Sequence, residues 1–101
     1  MLQNIGRKRS VEFRRYRPGR TLVPVLCVTP GDGPYIHAYY DICPWSPDET
    51  KLLVTRLPFE NQEPSLNDSC VVCLIDLENR TIEDLYATSG WAYQVGAYQQ
   101  W

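Results

Sequence analysis

The residues of this 101-residue chain whose types and spacing could do chemistry are few, and the sulfurs come first. Cys27, Cys43, Cys70 and Cys73 invite a metal or redox reading, and Cys70-x-x-Cys73 has the spacing of a thiol-redox pair. Such a pair works at a helix start, where the helix dipole lowers the thiol pKa. Here Val71, Val72, Leu74 and Ile75 make the segment a buried strand, on which positions i and i+3 point to opposite faces. The sulfurs then face apart and read as core cysteines. His37 is the one histidine, and a lone imidazole assembles neither a triad nor a metal site. Its plain role is a neutral ring bonded to nearby backbone. Its place, where an incoming loop meets the first strand of a meander, makes it a candidate ligand-binding residue. Asp41 and Gln94 join it as candidates, with the satisfying of strand-end amides as their structural alternative. No catalytic residue is assigned, no metal ligand set, and no cofactor is expected of this chain.

The elements that must position these residues are strands. Residues 41–45 read as a short strand closed by Pro44, and Ser46-Pro47-Asp48 as a turn with Pro47 preset for its second position. Residues 51–57 place Leu52 and Val54 on one face, Leu53 and Leu57 on the other. After a polar loop over 58–68 come strands over 69–77 and 80–88, joined by a tight turn at Glu78-Asn79. In the first of these Cys70, Val72 and Leu74 alternate with Val71, Cys73 and Ile75. In the second Ile82 and Tyr86 share a face with Asp84, and Leu85 and Ala87 share the other with Glu83, a polar admixture that suits an outer strand. The middle strands are apolar on both faces, so the meander over residues 40–88 is a layer that needs cover on both sides. Before it, residues 21–29 read as a strand that Pro24 confines to an edge. After it, residues 91–101 begin a further apolar, aromatic-rich element.

Composition agrees with an all-β chain. Seven Tyr, three Trp and two Phe accompany eight Pro and six Gly, and the hydrophobic fraction of 44% argues against disorder throughout. The net charge of −2 hides an asymmetry: residues 1–20 carry seven of the ten basic side chains against Glu12 alone, while the remainder holds eleven of the twelve acids. Residues 1–20 have no apolar periodicity and read as a basic lead-in arm with little structure of its own. No stretch is long enough to span a membrane, and no signal-peptide core with a cleavage site follows the arm, so a cytoplasmic location is expected and a membrane partner is not.

A strand, a Ser-Pro-Asp turn, an apolar strand, a loop and a hairpin make the layout of a β-propeller blade, and residues 45–53 resemble the repeat of the TolB-like propellers. Those usually carry Gly where this chain has Glu49, at a turn position of positive φ. A narrower resemblance covers almost the whole chain. Glu12-Phe13-Arg14-Arg15-Tyr16, His37-x-x-Tyr40 before the Ser-Pro-Asp turn, Gly90-Trp91-x-x-Gln94-x-Gly96 and Trp101 look like the amino-terminal part of the oligogalacturonate lyase group. The resemblance implies one four-stranded antiparallel blade, a preceding edge strand and the start of a second blade over 91–101, hence an incomplete propeller, since such rings close with about four to eight blades. It implies a parent that binds or cleaves an acidic sugar polymer with the help of a divalent metal held by several histidines and a glutamine of later blades. None of those ligands has a matching position here. Trp91 and Trp101 are candidates for stacking on sugar, against the alternative of aromatic core between blades.

The reading adopted is a propeller fragment, inactive alone and prone to self-association because a single sheet leaves one apolar face uncovered. A small binding module whose basic arm docks on an anionic partner or nucleic acid is the alternative, with nucleic acid disfavoured by the lack of an aromatic-interleaved basic face. A thiol oxidoreductase using Cys70 and Cys73 is a third.

Overall fold

The computed structural model describes residues 5–101, so Met1–Asn4 of the lead-in arm lie outside the described residues. The described chain is all-β, with no helix. Seven strands form, β1 (Lys8–Ser10), β2 (Arg14–Arg15), β3 (Leu26–Cys27), β4 (Tyr35–Ile36), β5 (Lys51–Arg56), β6 (Cys70–Asp76) and β7 (Thr81–Thr88). They make a five-stranded antiparallel sheet of order β1-β7-β6-β5-β4 and a separate two-stranded ribbon of β2 and β3.

The central trio β5, β6 and β7 matches the expected strands to within a residue at each end, because alternation and β-branched content agree there. The turns are built as their side chains dictate. Ser46 Oγ donates to Asp48 Oδ1 at 2.7 Å and accepts from the Lys51 amide at 3.0 Å, while Asp48 Oδ1 also takes the Thr50 amide and hydroxyl. These bonds, the Ser46 hydroxyl first, pull the Asp48 carboxyl down to about 2. Glu49 adopts φ +62°, the left-handed conformation that favours Gly. At the next hairpin Asp76 accepts from the amides of Glu78 and Asn79 and from the Asn79 side chain.

The first strand of the meander differs from expectation. Asp41 to Trp45 is not a strand: the sheet edge is β4, and Trp45 joins it through a single bridge to Leu52. Residues 37–43 loop out between the two pairings, with a turn closed by the Ile42 amide on the Tyr39 carbonyl at 3.0 Å. Pro44, lacking an N–H, contributes only its carbonyl, to the Leu53 amide at 2.9 Å. The edge strand expected over 21–29 is reduced to Leu26–Cys27 and belongs to the ribbon, not to the sheet. Pro24 accounts for the truncation, having no donor for a ladder.

The arm is more ordered than its composition suggests. β1 caps the outer edge of β7, and Val11 behind it is buried in the core. A second departure lies in β7. Cys73 faces Asp84 and Val72 faces Tyr86, so Leu85 is an extra residue in a β-bulge. Everything beyond it changes sides: Ala87 packs on the face of Val54, Val71, Cys73, Ile75 and Ile82, and Tyr86 moves to the opposite face.

The first face is covered and the second in part, by different stretches, with Leu85 and Tyr86 left exposed. On the first, Val11, Phe13, Val28, Tyr35 and Leu77 close over the core. On the second, residues 90–101 fold back as turns instead of opening a further strand. Gly96, at φ +59°, sits so close that an added Cβ would lie 2.8 Å from Thr55 Oγ1. Thr55, fully buried, donates its hydroxyl to Gln99 Oε1 at 2.7 Å and accepts from the Ala97 amide at 3.3 Å.

Candidate functional site

The looped-out residues 37–43 end at Trp45, and Trp45 is the wall shared by two neighbouring clefts. The first, of about 680 Å³, is lined by Tyr35, His37, Leu52, Tyr93 and Gln94 as well as Trp45. His37 reaches it because β4 stops one residue earlier, and Gln94 because the Ala92–Gly96 bridge turns the chain back across the sheet. Both side chains are exposed. The second cleft, of about 550 Å³, takes Asp41, Glu49, Gln100 and Trp101. The Trp101 indole N–H donates to the Pro44 carbonyl at 2.7 Å, which fixes a ring that remains 50% exposed. Asp41 accepts from the Tyr98 hydroxyl at 3.4 Å.

Of the three residues singled out from sequence, His37 and Gln94 are thus brought together and Asp41 is not. Asp41 sits on the far side of Trp45 with Glu49, so the two clefts have opposite electrostatic character: no carboxylate lines the His37 cleft, and two line the other. Trp91, half-buried, belongs to an aromatic cluster outside the main core. Its ring packs edge-on against Phe59 and Tyr93, and its indole N–H donates to the Asp68 carbonyl at 3.0 Å. Trp45 was missed as a site residue because its place beside the Ser46-Pro47-Asp48 turn marks it as a turn-flanking residue. The signal that could have found it is the adjacent Pro44, which breaks the pairing that would have buried it.

Sequence reasoning also missed a polar network inside the first face. The Arg56 guanidinium grips Asp84 with two bonds of 3.1 and 3.0 Å. It also donates to the Tyr35 hydroxyl at 3.4 Å, and that hydroxyl donates to Asp32, which pairs with Arg9 of β1 at 2.6 Å. Burial alone lifts the Asp84 carboxyl, but the Arg56 bonds outweigh it and hold the group below the usual carboxylate range. Burial, reinforced by Asp32, pushes the Tyr35 phenol up to about 12. Tyr35 therefore ties the wall of the His37 cleft to the arm, the loop before β4 and the bulge in β7. No sequence periodicity announces such a network, since its members are scattered over 75 positions.

Cys70 and Cys73 are placed as core residues, while Cys43 is exposed. Cys70 and Cys73 are fully buried on opposite faces of β6, and none of the four cysteines is in a disulfide. Burial pushes the Cys73 thiol up to about 12 and raises that of Cys70. Burial thus disfavours the thiolate at both. Among the described residues no group of three His, Cys, Asp or Glu side chains comes together to hold a metal ion. The divalent metal implied for a parent also finds no fit at His37, whose cleft offers an amide and phenols but no second imidazole or carboxylate.

Comparison with protein-family models, with curated proteins and with solved structures finds no match.

Proposed function

We propose that this chain is the first blade of a β-propeller related to the oligogalacturonate lyases, with no lyase activity by itself, and that it forms one wall of a site for an acidic sugar polymer. The blade reading is supported by four strands, β4 to β7, that are neighbours in chain order, and by the left-handed Glu49 in the Ser-Pro-Asp turn. The observation that carries the binding part is Trp45. A half-exposed indole between two open clefts is a platform on which a pyranose can stack, with amide donors of Gln94 and Gln100 to either side. The sugar carboxylate belongs on the His37 side, because Asp41 and Glu49 repel it on the other.

Titration with trigalacturonate, read by tryptophan fluorescence and calorimetry, tests the reading against a neutral trisaccharide. Binding of the acidic sugar, weakened up to about tenfold in Trp45→Ala by loss of stacking, is expected. His37→Ala should remove the preference for the acidic sugar. Equal binding of both sugars, or none by a folded protein, overturns it. Incubation with oligogalacturonate and a divalent metal should give no unsaturated product, and turnover above a His37→Ala control would overturn the claim of inactivity.

A second reading, a module that docks on an anionic partner through its basic arm, is favoured by one observation. Among the described residues no ion pair involves Arg14, Arg15, Arg17 or Arg20.

A further inference from the structure

The β2–β3 ribbon stands apart from the sheet and has an unusual surface. Arg14 pairs with Cys27 and Arg15 with Leu26, and the Tyr16 amide on the Val25 carbonyl at 2.7 Å extends the ladder toward the tip. The tip turns through Arg17, at φ +43°, and Gly19, at φ +75°, closed by the Arg20 amide on the Arg17 carbonyl at 2.9 Å. Beyond it Leu22 is fully exposed and Val23 is 65% exposed, with Val25 and Leu26 also open to water. The register puts Arg15 beside Leu26 on one face of the ribbon and Arg14 with Tyr16 and Val25 on the other, Arg17 and Arg20 lie in the tip, and residues 13–31 contain no carboxylate. Tyr16 stands half-exposed beneath them, with the Arg17 guanidinium 5.3 Å from its ring centre.

A ribbon tip of exposed aliphatics interspersed with arginines that form no ion pair among the described residues has two complements at once, an apolar phase and a negatively charged boundary. A nucleic acid supplies the second and not the first. A membrane interface rich in anionic phospholipid supplies both, with the aliphatics entering the headgroup boundary, the arginines on phosphates and Tyr16 at the level where aromatic rings settle. Among the described residues no helix is long and apolar enough to cross a membrane, so the contact concerns the surface only. We infer that the β2–β3 ribbon is a peripheral docking element for anionic lipid surfaces. The inference rests on the second functional reading, naming its partner class, and stands or falls separately from the sugar site.

Co-sedimentation of the full chain with phosphatidylcholine vesicles, with and without phosphatidylserine, tests it. Binding to the anionic vesicles alone, weakening as salt rises, is the expected result. Arg14→Gln/Arg20→Gln should lower the partition constant about 30-fold, taking about 1 kcal/mol for each arginine. Leu22→Ser/Val23→Ser should lower it by about 100-fold or more. These side chains are exposed, so an unchanged circular dichroism spectrum and melting temperature are expected in both variants. A tip variant that binds vesicles like the parent overturns the proposal. So does tighter, tip-independent retention on duplex DNA, which would make the ribbon a nucleic-acid element. Absence of vesicle binding together with tip-dependent dimerisation would give the surface to a second copy of this chain and equally overturn it.

Discussion

Replacing Arg56 by methionine keeps the aliphatic stem in place and removes the guanidinium that faces Asp84. The Asp84 side chain is only 8% exposed, so its carboxylate would be left with little water and one remaining donor, the Cys73 thiol at 3.4 Å. Deleting one partner of a buried ion pair costs about 3–5 kcal/mol. The thiol and the partial exposure on the Arg56 side set the value at the lower end, about 3 kcal/mol. With a urea slope of about 1–1.5 kcal/mol per molar for a domain of this size, the unfolding midpoint should fall by about 2–3 M. Arg56→Met/Asp84→Asn, which removes the stranded charge, should recover at least half of the loss, and the recovery measures the coupling. The pH dependence carries a sign. The native Asp84 carboxyl titrates below its unfolded value of about 3.9, so its contribution is present above that pH and is lost as pH falls through the native value. In Arg56→Met, burial is opposed only by the Cys73 thiol and the charge of Arg9 and raises the same group, so acid protonates it and relieves the penalty. The gap between parent and variant should therefore narrow from neutral pH to about pH 4. Urea melts at one fixed protein concentration decide it. A loss under about 1 kcal/mol at neutral pH, or a gap that does not close in acid, would refute the claim that this pair is buried and mutually dependent.

Gly96→Ala should destabilise by about 2 kcal/mol, combining the left-handed φ with a Cβ forced onto Thr55, and a melting temperature equal to the parent's would place residues 90–101 elsewhere. Under native conditions iodoacetamide should label Cys43 rapidly and leave Cys70 and Cys73 unmodified until denaturant is added, as peptide mass mapping would record; early labelling of Cys73 would contradict its burial. Exposed Leu66, Leu85 and Tyr86, none of them in the ribbon, leave apolar surface that association can bury. The melting temperature and sedimentation coefficient should thus rise with protein concentration, and a monomer melting at a concentration-independent temperature would rule association out.

What was legible in the sequence was whatever obeys a short period. β5, β6 and β7 follow alternation, and the Ser46-Asp48 turn and the Asp76 turn follow side chains that bond their own backbone two or three residues on. The faces of β6 were assigned correctly, which also disposed of Cys70-x-x-Cys73 as a redox pair. Alternation failed at Leu85, since a bulge has no compositional mark in a strand that reads apolar on both sides of it. It failed again at β1, where Lys8, Arg9 and Ser10 look like a solvated arm and become a strand because the outer edge of β7 has backbone groups to satisfy. The candidate site was half legible. His37 and Gln94 share a cleft because of a chain reversal at Gly96, and Asp41 was drawn away by a loop whose length the Pro44 break alone hinted at.

The pairing of β1 with β7 bears on the order of assembly. Lys8 lies opposite Glu83, so the pairing between them encloses most of the chain, whereas β5 and β6 are joined by 13 residues and β6 and β7 by four. Closing a loop of about 70 residues in a flexible chain costs about 4 kcal/mol in entropy beyond a constant term. A few ladder bonds formed early would not repay that. The trio joined by these shorter connections is then the nucleus, and the amino-terminal strand is a latch that closes on an already formed edge, with Arg9 finding Asp32 only at that moment. Slow events in the refolding of this chain belong to its two ends, each crossing a sheet whose middle is complete, and amide protection should appear in β6 before it appears in β1.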